Sequence, residues 1–156
     1  MYRKELISYN YATRMGRKIE YIVLHDTGNP RKGADAYAHY RYFNHPGRNA
    51  SAHYFVDAGE TIQLVEDFNA SWHCGDGRGR HGITNSNSIG VELCVNSDGD
   101  WEETKRRGIL LVRDLMNKHG IPKERVVRHF DASGKVCPRR MSDWGWREWT
   151  LFYDKI

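Results

Sequence analysis

At 156 residues, 39% hydrophobic and 28% charged, the chain suits one globular domain over residues 1–156 and excludes a disordered or fibrous polypeptide. Twenty-four basic against twenty acidic side chains give a net charge of +4 without the dense basic tract of a dedicated nucleic-acid binder, so nucleic acid is not the expected partner. Met1 to Leu6 lead into no apolar run of signal-peptide or anchor length, which predicts a product made in the cytoplasm with no membrane attachment.

In chain order, Glu20 to His25 is an apolar run of strand length, closed by the turn-forming Asp26 to Pro30; it predicts a buried strand ending in a histidine. Ala34 to Asn44 has helical spacing of apolar residues and is stopped by Pro46 and Gly47. Ser51–Asp57 and Thr61–Glu66 are strand-like runs joined by Ala58, Gly59 and Glu60, and predict a hairpin. The Gly-rich stretch Gly75 to Gly82 reads as one long loop. Ser88 to Asn96 alternates, with Ile89, Val91, Leu93 and Val95 on one face and Gly90, Glu92 and Cys94 on the other. Glu102 to His119 places Ile109, Val112, Leu115 and Met116 on one stripe, followed by Gly120 at the cap and Pro122 beyond it, a helix stop. Arg125 to Phe130 predicts a strand ending at His129, and Asp143 to Tyr153 a closing helix with three tryptophans. The alternation of strands and helices predicts an α/β domain with a central mixed β-sheet flanked by helices.

His25 and His129 each close an apolar strand, and strand ends are where α/β proteins build sites; a strand-end histidine is also often only a hydrogen-bonded boundary residue. The odd cysteine count, Cys74, Cys94 and Cys137, favours free thiols or a metal ligand over disulfides. Cys137 follows His129 on a loop able to curl back toward its own strand, although a buried inert thiol fits equally. If the three converge, they form a His-His-Cys set with a fourth position open, the coordination of a catalytic zinc, which activates water and polarises a carbonyl. Glu92, on a face of small neighbours, is the candidate general base; an outward, exposed glutamate is the competing account. Lys135 is a candidate oxyanion stabiliser, or a lysine on an exposed loop. Trp72 and His73 either wall a substrate groove or belong to the core and a surface loop. The basic clusters at residues 31–32, 78–81, 105–107 and 139–140 read as solvated surface.

The segments Tyr21 to Asn29, Ser51 to Asp57, Trp72 to Gly77, Asn87 to Leu93 and Arg128 to Pro138 resemble, in order and spacing, the type 2 N-acetylmuramoyl-L-alanine amidase family. That family includes phage endolysin and prophage amidase domains, phage T7 lysozyme and the animal peptidoglycan recognition proteins. The resemblance implies a single catalytic zinc on His25, His129 and Cys137, a catalytic Glu92, an oxyanion-supporting Lys135 and a place for His73 in the substrate cleft. It implies hydrolysis of the amide between N-acetylmuramic acid and L-alanine in bacterial peptidoglycan by a monomeric endolysin of a Gram-positive host, acting on the wall after release. Two departures matter. Ala52 precedes His53 where the T7-type enzymes carry tyrosine, which leaves the base role to Glu92. The chain also stops at Ile156, where related endolysins continue into a wall-binding domain, and this predicts an isolated catalytic domain. A non-catalytic peptidoglycan-binding module, a recycling amidase acting on soluble muropeptides and a metal-dependent nuclease are the rival expectations.

Overall fold

A computed structural model describes residues 2–156. Its main sheet has six strands: β1 (Arg3–Lys4), β5 (Thr61–Gln63), β4 (Tyr54–Val56), β7 (Ser88–Leu93), β3 (Tyr21–Asp26) and β8 (Val126–Arg128), in that spatial order. β3 runs parallel to both β7 and β8, and β4 parallel to β7, while β4 and β5 form the expected antiparallel hairpin. β2 (Tyr11–Thr13) and β6 (Asn69–Ser71) make a separate two-stranded antiparallel sheet. The single mixed-sheet domain expected from the alternation of elements is therefore what forms.

Both faces of the sheet are covered, so its central strands are apolar almost throughout. On one face, Ile22, Leu24, Ile89, Val91 and Leu93 pack against Leu111, Val112 and Leu115 of α2 (Trp101–His119) and Trp149 and Phe152 of α4 (Asp143–Tyr153). On the other face, Phe55 and Ile62 meet α1 (Ala36–Phe43), and Val23 meets Cys74, Ile83 and Ala132. The second face also carries the polar residues of interest. Parallel registers align His25 with Glu92, and Glu92 with Phe55, in one row across β3, β7 and β4.

The strand predicted over Arg125 to Phe130 is cut short. β8 ends at Arg128, and His129 is the first residue of a short helix, α3 (His129–Ser133), rather than a strand end. The cause is Asp131, whose carboxylate accepts from the backbone N–H of Arg128 and pairs with its guanidinium at 2.6 Å, capping a helix where the apolar pattern alone continues as a strand. The closing helix also departs from regularity at its start. Trp144, Gly145 and Trp146 adopt left-handed backbone angles, and Trp144 stands 92% exposed. The Gly-rich stretch is a loop containing one 3-10 turn at Gly75–Gly77.

Candidate metal centre and catalytic site

Three parallel strands deliver the site at their C-terminal ends, where an open α/β sheet leaves room between its connections. His25 is the penultimate residue of β3, and Glu92 stands beside it near the end of β7. His129 begins α3 directly after β8. α3 stops at Gly134, whose φ of 84° is the left-handed turn that sends the chain back. The return is pinned by a backbone hydrogen bond from Phe130 N to the Cys137 carbonyl at 3.1 Å, so His129 and Cys137 occupy the two ends of a closed loop.

The ligand atoms of His25, His129 and Cys137 all lie within 4.8 Å of one another, and all three residues are buried. The arrangement of the nitrogens fits a cation. His129 Nε2 faces Asp76 Oδ1 at 2.7 Å, while His129 Nδ1 is buried without any hydrogen-bond partner. His25 Nε2 meets His73 Nδ1 at 3.0 Å, while its Nδ1 faces the Cys137 sulfur at 3.7 Å and Glu92 Oε1 at 4.0 Å. Each imidazole thus has one nitrogen engaged by a second protein group and the other turned toward the cluster, the usual condition of a metal-ligating histidine. Two imidazoles and a thiol are also the donor set that suits zinc.

The electrostatics of the cluster suit a cation. Burial, with the repulsion of Glu92, pushes the Cys137 thiol well above the ordinary cysteine value. Burial, with the adjacent Asp26 carboxylate, likewise holds the Glu92 carboxyl well above its ordinary range, and the Lys135 ammonium works against this. A cation among these groups reverses both trends by favouring thiolate and carboxylate. The Glu92 side chain remains 18% exposed, while its Oε2 is buried and has no hydrogen-bond partner. Lys135 is exposed on the loop before Cys137, near enough for its charge to bear on His25, Glu92 and Asp76.

His73 follows β6 and sits behind His25, its Nε2 3.0 Å from the Ser88 hydroxyl. Trp72 is half-buried and tied through its backbone to Ser51. His53, fully buried, accepts at Nδ1 from Gly90 N and also contacts Ser71 and Arg14. Asp76 and Ser88 were not singled out in the sequence. Asp76 lies in the Gly-rich stretch, and its place among Trp72 to Gly77, a segment shared with the amidases, was the signal available.

The family model described as N-acetylmuramoyl-L-alanine amidase, Amidase_2, matches residues 15–140. The chain belongs to this family. CwlH of Bacillus subtilis strain 168, named an N-acetylmuramoyl-L-alanine amidase, is 37% identical over 156 residues, which cover 99% of this chain and 60% of CwlH. XlyA of the same organism, another protein of that name, is 42% identical over 123 residues, covering 79% of this chain and 40% of XlyA. The chain thus spans about half the length of these curated relatives. The solved catalytic domain of XlyA superposes with a TM-score of 0.88 at 35% identity, over 100% of this chain and 99% of that domain. A mutant endolysin from Bacillus subtilis gives the same TM-score at 36% identity, over 100% and 98%.

Proposed function

We propose that residues 1–156 form a zinc-dependent amidase domain that cleaves the bond between N-acetylmuramic acid and L-alanine in bacterial peptidoglycan, in the role of an endolysin acting on the wall of a Gram-positive host. The observation that carries this reading is the convergence of three metal-binding atoms, from β3 and from both ends of the α3 loop, within 4.8 Å of one another. Membership of the amidase family and the likeness to an endolysin support the substrate and the role. No described helix is long and apolar enough to cross a membrane.

In this reading His25, His129 and Cys137 hold the ion. When bound, zinc supplies Lewis acidity toward water and toward the scissile carbonyl. Glu92 takes the proton from the attacking water and later gives it to the departing alanine nitrogen. Lys135, free to swing over the opening, offsets the negative charge that develops on the carbonyl oxygen. Trp72 contributes an apolar plane near the same rim for the sugar or stem peptide.

Glu92→Gln is the direct test. Folding and zinc content are expected to stay at wild-type levels while lysis of a wall suspension falls about 100-fold or more, the usual effect of losing a general base. Mass spectrometry of wild-type digests is expected to find new N-terminal alanine without new reducing sugar. An active Glu92→Gln variant would remove Glu92 from the mechanism. Zinc uptake and wall binding by a wild-type chain that leaves walls uncut would mean a binding module.

A further inference from the structure

The short hydrogen bonds behind His25 run in one direction, because the Cys74 sulfur, 4.0 Å from His73 Nε2, competes poorly with the Ser88 oxygen at 3.0 Å. The Thr84 carbonyl can only accept, so the Ser88 hydroxyl, which contacts it, donates there. A hydroxyl has one proton, so toward His73 Nε2 at 3.0 Å the Ser88 oxygen acts as acceptor, and His73 carries its proton on Nε2. The lone pair of the neutral His73 ring is then on Nδ1, which faces His25 Nε2 at 3.0 Å; His25 must donate from Nε2. What remains on His25 is a lone pair at Nδ1, the nitrogen turned toward Cys137 and Glu92.

The seat of the relay is built into one face of β7. Ser88, Gly90 and Glu92 alternate onto that face. Ser88 orients the His73 ring, and Glu92 lines the opening. Gly90 is the gap that admits the ring, since a Cβ there would come within 2.6 Å of His73 Cγ. His129 reaches the same state by another route, with Asp76 as a charged acceptor at Nε2.

We propose that His73 and Ser88 are positioning residues which, with the Thr84 carbonyl as a fixed end, lock His25 in the Nε2-protonated tautomer and aim its Nδ1 lone pair into the His25, His129 and Cys137 cluster. Both nitrogens of His73 are engaged inside the protein, so its part is to orient a ligand rather than to touch substrate. The purpose of the device rests on the metal-site reading, whereas the tautomer itself belongs to the metal-free chain.

The test uses the metal-free, uniformly 15N-labelled chain near neutral pH. Long-range proton–nitrogen correlation spectra are expected to show His25 and His73 both protonated at Nε2 and bare at Nδ1. In Ser88→Ala, His73 should lose its fixed tautomer and His25 should average between forms. Zinc affinity, measured by competition with a chromophoric chelator, should drop about tenfold, the lower end of the range for lost supporting partners. His73→Asn, which keeps an acceptor at the position of Nδ1 for His25, should retain the His25 tautomer, whereas His73→Leu should not. A wild-type His25 protonated at Nδ1, or a folded Ser88→Ala with unchanged tautomers and zinc affinity, would overturn the proposal. The stated tautomers in a wild-type chain that takes up no zinc would support the relay and defeat the metal-site reading instead.

Discussion

Gly90 is the residue at which one methyl group separates a working site from a disturbed one. Its backbone lies against the flat of the His73 ring, and an added Cβ leaves the ring no room to keep both its contacts. Gly90→Ala is therefore expected to lower stability by about 1–3 kcal/mol, the usual cost of overpacking. It should weaken wall lysis as well, because His73 cannot retreat without releasing His25. Urea denaturation and turbidity assays check the two effects, and wild-type values in both would mean that the ring has space to move. The same residues show what single positions reveal in a sequence. His25, Glu92 and Cys137 stood out because their chemistry is unusual for strand ends and small-residue faces, and the structure brings them together. Ser88 and Asp76 did not, because a serine opening a strand and an aspartate among glycines are ordinary until their partners, far along the chain, are known.

Asp67 joins elements that the chain separates widely. Its carboxylate accepts from Lys118 and His119 at the C-terminal turn of α2, from Tyr54 on β4 and from Gln63 on β5. Burial acts to raise this carboxyl, but the hydrogen bonds from Lys118, Tyr54 and His119 outweigh it and hold the group below the ordinary aspartate value. A depressed folded-state value means that its contribution is complete above the unfolded value of about 4 and is lost as pH falls through the lower folded one. Asp67→Asn should cost about 2–3 kcal/mol at neutral pH, the scale of a charge-assisted hydrogen bond or more. Thermal melts should show a constant gap between the two proteins down to about pH 5, narrowing below about pH 4; a gap independent of acid would remove the charge from the explanation. At this scale α2 was legible, since its periodicity and Gly120 mark its body and end, and the structure places the cap there with φ 62°. The strands β1, β2 and β6 were not, being two or three residues long and defined only by the strands they pair with. The switch from β8 to α3 was missed because a side-chain cap overrides an apolar pattern.

Over the whole molecule, β3 and β8 are adjacent parallel strands, so positions 104 residues apart in sequence emerge side by side. An ion held there ties β3 to the α3 loop and should stabilise the folded chain alone. Stripping it with a chelator is expected to lower the melting temperature, and zinc to restore it. With free zinc at ~100 times its dissociation constant the stabilisation is about 2.7 kcal/mol, or roughly 5–10 °C for a chain of this size. Calorimetry of the stripped and reloaded protein measures it, and coincident melts would argue against a shared ion. The α/β class was readable from alternation alone, because covering both faces of a parallel sheet imposes that order. Strand order was not, since adjacency of β3 with β7 and β8 depends on crossovers that leave no local mark.

The hydrogen bond between Phe130 N and the Cys137 carbonyl has a consequence for kinetics. On the proposed metal reading, two of the three donors ride on one clasped segment, like the jaws of a chelator that is already set when the chain has folded. On that same reading, capture of an ion should need no rearrangement of the main chain in this segment.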